Sequence, residues 1–163
     1  MNQAQSAGLS LRLAEFVTRT PTEALPGSAL DAAARVVLDA TGVMRAASAL
    51  APEVLPFIEL ARDGGAGAAS ILGTAHATRA PLAALANGAM AHALDYEDAF
   101  DGAPLHPNAS LVPAALALAQ AHRPVHGREF LAAIAIGCEV SCRRLSADRR
   151  LLAPAAARCL VDA

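Results

Sequence analysis

Apolar residues recur at helical spacing along nearly the whole chain. They follow the i, i+3, i+4 pattern of an amphipathic helix that buries one face. The first predicted helix runs through Leu9, Leu13, Phe16 and Val17, and the second from an N-cap at Ser28 through Leu30, Ala34, Val37, Leu38 and Val43. The third spans 52–62, and the fourth runs from Pro81 through Leu85 and Met90 to about Asp95. The fifth spans 110–121, and the sixth runs from Gly127 or Arg128 to about Leu145. Because their connections are short, they predict an all-α helical bundle.

The breaks between these helices carry the expected turn residues. Leu25-Pro26-Gly27 separates the first two helices, and Asp63-Gly64-Gly65 ends the third, since glycine permits the left-handed turn that stops a helix. The segment 69–73 is β-like at most. The segment 98–108 holds Gly and Pro among polar residues and predicts an irregular loop. The Ala-rich end, 151–163, is consistent with a frayed helix.

The length of 163 residues predicts one domain over 1–163, with an atypical tail at 146–163. Alanine supplies 43 residues and aromatic residues only 3% of the chain, with no Trp. Large rings bury the most area per residue, so a core built mainly of methyl groups predicts marginal stability for the chain alone.

Charge and hydropathy exclude several classes of function. The 13 basic residues are all Arg and form no block, and the net charge is -2, which argues against a nucleic-acid partner. The most apolar stretches, 111–121 and 130–138, are too short to span a bilayer, so no membrane association is expected. The first ten residues lack the pattern of a secretory signal, which favours a cytoplasmic location.

Three cysteines, Cys138, Cys142 and Cys159, are an odd number without CxxC spacing. This pattern suits neither a disulfide framework nor a zinc ribbon. We therefore expect buried free thiols.

The richest cluster of reactive side chains comprises His92, Asp95, Glu97, Asp98 and His106. On the fourth helix His92 and Asp95 are three residues apart and share a face, and Asp95 and Asp98 do the same if the helix continues. The carboxylates would then lie at the helix C-terminus, where the dipole disfavours negative charge. A conflict with a local stability rule is a mild indication of function. The alternative is a solvated acidic turn with a capping histidine.

A carboxylate beside a histidine holds one tautomer and makes the imidazole a competent general acid or base. Asp95 and His106 are the candidates for such a pair. Metal ligation by His92, Asp95 and His106 lacks the spacing of known helical metal motifs, so no metal is expected. The remaining histidines, at 76, 122 and 126, are expected at the surface, and no serine-hydrolase, P-loop or dinucleotide motif is present.

Several segments resemble the MmgE/PrpD family, which includes 2-methylcitrate dehydratase, cis-aconitate decarboxylase and iminodisuccinate epimerase. They are ANGAMAHALDYED at 86–98, HPNASLVPAALA at 106–117, LAEFV at 13–17, VLDATGV at 37–43, GREFLAAI at 127–134 and GCEV at 137–140. The resemblance covers about 9–145 and corresponds to the N-terminal part of the family's helical domain.

The resemblance implies a helical domain whose HxxD[FY]xD segment and HP loop line an active-site cleft. It implies proton transfer next to a carboxylate on small di- and tricarboxylic acids, without an iron-sulfur cluster or other cofactor, in a homodimer. Carried over to this chain, Asp95 and His106 are catalytic and His92 and Asp98 bind substrate. Ala99 stands where the family often has Thr.

Family members are longer chains with a second, α/β lid domain and further catalytic His and Lys residues, whereas this chain has no Lys. The expected function is therefore that of a truncated lyase or isomerase, weakly active or inactive alone. One alternative is a non-catalytic helical fragment that acts as an association module. Another is a carboxylate-binding module that uses Arg79, Arg123 and Arg128.

Overall fold

A computed structural model describes residues 8–100, 104–122 and 124–145. In this part of the chain six helices and one small sheet follow in order: α1 (Leu9–Arg19), α2 (Gly27–Leu50), α3 (Leu55–Asp63), β1 (Ala66–Ser70), β2 (Ala77–Thr78), α4 (Ala80–His92), α5 (Asn108–Ala121) and α6 (Gly127–Leu145). Short 3₁₀ turns at Thr22–Ala24 and Pro52–Val54 precede α2 and α3. The predicted helical fold class is confirmed, while the tail at 146–163 lies outside the described residues.

Several helix ends differ from the predicted ones. Helix α2 begins at Gly27 after Pro26, and no side chain caps it, so the predicted N-cap at Ser28 is wrong. Helix α4 begins with Pro81 in its first turn, as expected, but ends at His92 instead of near Asp95. Helix α5 starts at Asn108, two residues before the predicted start at 110, and Pro113 lies inside it.

The two strands form an antiparallel hairpin that the apolar pattern does not predict beyond a short β-like stretch. Gly67 lies against the backbone of Thr78, where a Cβ atom would collide with the opposite strand. Asn87 of α4 anchors the hairpin: its Nδ2 donates to the Ser70 carbonyl at 3.0 Å and its Oδ1 accepts from the Leu72 N–H at 2.9 Å. The buried amide of Asn87 thereby ties α4 to the end of β1.

The core lies where α4 packs against α5 and α2, with α3 and α6 closing the sides. Half of the buried residues in the main core cluster are alanines, whose short side chains let the backbones approach closely. The largest fully buried apolar side chains are Met44, Ile71, Met90, Ile134, Val54 and Val112. These few side chains fill the space that the alanines leave.

Cys138 of α6 is a buried free thiol, as expected. Cys142, one turn further on, is disulfide-bonded, so the expectation of a free thiol is wrong there. Among the described helices, none has the length and apolarity required to cross a membrane.

Candidate functional site

The chain turns sharply where α4 ends. The Asp95 N–H donates to the His92 carbonyl at 3.2 Å, and Asp95 has a φ of 57°, in the left-handed region. Asp tolerates this region better than most residues, although a non-glycine residue there stores strain. The turn directs the chain after His92 away from the helix axis, so helical spacing no longer governs which side chains meet.

Glu97 lies between two histidines as a result. Its carboxylate oxygen Oε1 is in contact with Nδ1 of His92 and lies 3.9 Å from Nδ1 of His106. The two imidazole rings have centroids 5.8 Å apart and are tilted by 51°. The Glu97 side chain is only 4% exposed, whereas those of His92 and His106 are 64% and 38% exposed. We call these three residues the His–Glu–His cluster.

The hydrogen-bond partners fix which ring nitrogen carries hydrogen. Nδ1 of His106 lies 2.9 Å from the Asp98 carbonyl oxygen, and Nδ1 of His92 faces the Glu97 carboxylate. A carbonyl and an ionised carboxylate only accept hydrogen bonds, so both Nδ1 atoms donate. Neither Nε2 atom bonds to a described residue, and Nε2 is therefore the nitrogen of each ring that is open to a ligand.

Asp98 holds the loop that carries His106. Its carboxylate accepts from Nδ2 of Asn108 at 2.7 Å and from the Asn108 backbone N–H at 3.3 Å, at the start of α5. Asn108 Oδ1 accepts in turn from the Cys138 thiol at 3.1 Å. Burial raises the pKa of the Asp98 carboxyl, and the bonds from Asn108 act in the opposite direction.

The Cys138 thiol is the most deeply buried member of the Asp98–Asn108–Cys138 hydrogen-bond network. Burial raises its pKa to about 12, and the nearby Asp98 charge acts in the same direction. The thiol therefore stays protonated at neutral pH and serves as a hydrogen-bond donor, because only the thiolate is a strong nucleophile.

A comparison with protein families finds one that covers most of the chain. The model of the MmgE/PrpD N-terminal domain matches residues 11–149. The chain belongs to the MmgE/PrpD family. This match confirms the resemblance expected over about 9–145 and includes the whole His–Glu–His cluster. Comparisons with curated proteins and with solved structures find no match.

The structure of this MmgE/PrpD domain brings together only some of the predicted site residues. His92 and His106 come together around Glu97, and Asp98 adjoins them through its carbonyl oxygen. Asp95 is exposed, and no hydrogen bond or ion pair joins it to His106 among the described residues. Glu97 was part of the predicted cluster but had no predicted role.

A cavity of about 220 Å³ adjoins the site of the MmgE/PrpD domain but does not include either imidazole. Its polar lining residues are Arg35, Asp39, Asp98, Asn108 and Cys138. The cavity thus borders the Asp98–Asn108–Cys138 bonds and not the His–Glu–His cluster.

Other candidate groups of this domain remain apart from the site. The described residues contain no group of three or more His, Cys, Asp or Glu that could hold a metal ion. Arg79 precedes α4 and Arg128 lies on α6, both exposed, and Arg123 falls outside the described residues. His76, His122 and His126 are exposed, as the sequence predicts.

Proposed function

We propose that this domain belongs to a lyase or isomerase of the 2-methylcitrate dehydratase type, which transfers a proton at a carbon next to a carboxylate in small di- or tricarboxylic acids. The observation that carries the proposal is the His–Glu–His cluster within an MmgE/PrpD domain. Both imidazoles have Nδ1 engaged and Nε2 open. Such imidazoles are suited to general acid and base catalysis near neutral pH.

His106 is the proposed base. Its Nδ1 donates to the Asp98 carbonyl, so the lone pair of neutral His106 lies on Nε2. A proton taken by Nε2 leaves negative charge on the substrate, and positive groups nearby stabilise that charge. His92, which is more exposed, is the proposed contact for a substrate carboxylate.

Asp95 is the proposed second proton-transfer residue. Its carboxylate is exposed at the left-handed turn, and no described residue forms a hydrogen bond with its side chain. A strained backbone retained next to two histidines supports a role in function. Asp98 supports binding by holding the His106 loop, since both of its carboxylate oxygens already accept hydrogen bonds from Asn108.

We further propose that this chain alone is a weak catalyst. Enzymes strengthen electrostatic stabilisation by excluding water from the site. Here the two imidazoles are 64% and 38% exposed, so water screens the charges that would stabilise a carbanion. Covering the cluster from outside would raise its activity.

Deuterium exchange tests proton abstraction even where net turnover is slow. The protein is incubated in D₂O with citrate, malate or cis-aconitate, and proton NMR follows the signals of hydrogens next to a carboxylate. We expect at least one acid to lose these signals faster than in a blank without protein. Equal rates with and without protein for all the acids would contradict the proposed function.

A second candidate, an association module, is supported by exposed apolar side chains on α2 and α3. Leu38 and Leu50 of α2 and Leu55, Phe57 and Leu60 of α3 are all exposed. Large exposed apolar patches mark interfaces. We propose that a second copy of the chain covers these side chains in a homodimer.

Light scattering coupled to size exclusion tests this association. We expect a particle mass near twice the 16.5 kDa of one chain. Replacing Phe57 and Leu60 by Ser and Gln should shift the mass to that of a monomer, because both side chains are exposed. A wild-type monomer at high protein concentration would exclude the homodimer.

A further inference from the structure

Glu97 has an arrangement that folding alone disfavours. Its side chain is 4% exposed, and its Oε2 atom is buried without a hydrogen-bond partner among the described residues. A buried carboxylate oxygen without a donor costs free energy, and such groups in native structures call for an explanation. The other oxygen, Oε1, faces both imidazoles, which indicates that Glu97 serves the histidines.

The two histidines have chemically different partners. Nδ1 of His92 is in contact with the Glu97 carboxylate, which can carry a full negative charge. Nδ1 of His106 donates to the neutral carbonyl of Asp98 and is 3.9 Å from the same carboxylate oxygen. A charged acceptor favours an imidazolium more than a neutral acceptor does. The two rings therefore share an open Nε2 but differ in the group that holds Nδ1.

We propose that Glu97 and His92 form a carboxylate–imidazole dyad whose Nε2 is a second proton-transfer atom, the acid that complements His106. This inference rests on the proposed function, which assigned His92 only a contact with substrate, and it makes His92, instead of Asp95, the second proton-transfer group. Glu97 is the positioning residue, since it acts on the reaction through the His92 ring.

The proton balance of the dyad is simple. His106 Nε2 takes the proton as the C–H bond next to the carboxylate breaks, and the electron pair remains on the substrate. In a dehydration that electron pair forms a C=C bond as the C–O bond breaks, and the imidazolium of His92 gives its Nε2 proton to the departing hydroxyl, which leaves as water. In an epimerisation the same proton goes back to carbon. His92 keeps its Nδ1 hydrogen on Glu97 throughout. One proton enters the pair and one leaves it, so no co-reactant is needed.

The tautomer of His92 tests the dyad without any activity. In protein labelled with ¹⁵N-histidine, two-bond proton–nitrogen NMR at alkaline pH reports which ring nitrogen carries hydrogen. We expect the Nδ1–H tautomer at both His92 and His106 in the wild type. Glu97→Leu removes the acceptor of His92 and should shift only His92 towards Nε2–H, because the Asp98 carbonyl still holds His106. Glu97→Gln keeps an acceptor oxygen and should retain the wild-type tautomer.

The exchange rate tests the proton-transfer role. His92→Gln should slow deuterium incorporation by about 10²-fold or more, the usual contribution of a general acid. Glu97→Gln should slow it by about tenfold with KM nearly unchanged, because it loses the charge but keeps a hydrogen bond. Glu129→Gln, an exposed glutamate in the first turn of α6, is the matched control and should leave the rate unchanged.

The outcomes separate this inference from the proposed function. A His92 tautomer that is the same in Glu97→Leu and wild type would overturn the dyad. A rate unchanged in His92→Gln but lost in His106→Ala would overturn the second proton-transfer atom and leave the proposed function standing. No exchange by the wild type would overturn both, whatever the tautomer. His92 is exposed, so His92→Gln should fold even if the Glu97 variants do not.

Discussion

Replacing His106 by alanine is expected to slow deuterium incorporation next to a substrate carboxylate by about 10²- to 10⁴-fold, the usual contribution of a positioned general base. The substitution removes the Nε2 lone pair that is proposed to take the proton. It leaves the Glu97–His92 contact in place, since that contact joins α4 to the following turn and does not involve His106. The measurement is the NMR exchange rate at saturating acid.

His126→Ala is the matched control for this prediction. His126 is exposed in the connection before α6 and belongs to no described site. Its exchange rate should equal that of the wild type, and urea denaturation should give both variants similar midpoints. Equal exchange rates for His106→Ala and wild type would remove His106 from the proton-transfer role.

The sequence identified the histidines of the site but not their carboxylate. Helical spacing placed His92 and Asp95 on one face, which required α4 to run to about Asp95. The helix ends at His92, and the positive φ of Asp95 turns the chain so that Glu97 reaches both rings. A left-handed Asp has no reliable signature in one sequence, because Asp also fits helix ends and ordinary turns. Glu97 could have been found only by weighing all three carboxylates of the cluster equally.

The helices followed from apolar periodicity, but the hairpin did not. The β1 sequence, AGAAS, has no β-branched or aromatic residue, so local propensity gives little sign of a strand. Tertiary bonds hold it instead: Asn87 binds Ser70 and Leu72, and Gln120 of α5 accepts from the Ser70 N–H at 2.8 Å. Asn87-Gly88 is a sequence of low helix propensity, yet the Asn87 side-chain amide links α4 to the end of β1.

The buried hydrogen bonds among Asp98, Asn108 and Cys138 could not be predicted from the sequence either. Asp98, Asn108 and Cys138 come from the turn after α4, the start of α5 and the middle of α6. No motif or spacing relates residues 98 and 138, because their link through Asn108 depends on how α6 packs. Their hydrogen bonds fix the His106 loop from inside, so the site depends on the helical core beneath it.

From the packing of that core we expect a large loss of stability when one buried methionine is truncated. Met90 lies fully buried on α4, two residues before His92, in a core cluster in which half of the buried residues are alanines. Met90→Ala is expected to lower the free energy of unfolding by about 2–5 kcal/mol, the usual cost of truncating a buried side chain. The alanines of this cluster have no long side chains that could fill a cavity, which favours the upper part of this range. Urea denaturation followed by far-ultraviolet circular dichroism measures the change.

Leu85→Ala is the matched control, since Leu85 lies on the same helix but is 43% exposed. It should cost about 1 kcal/mol or less, because partly exposed side chains lose little burial. A folded domain has only about 5–15 kcal/mol of stability, so Met90→Ala should also slow proton exchange by loosening the end of α4 that carries His92. Equal losses of stability in the two variants would show that α4 is not packed as described. A large difference would show that a few long side chains stabilise this alanine-rich core.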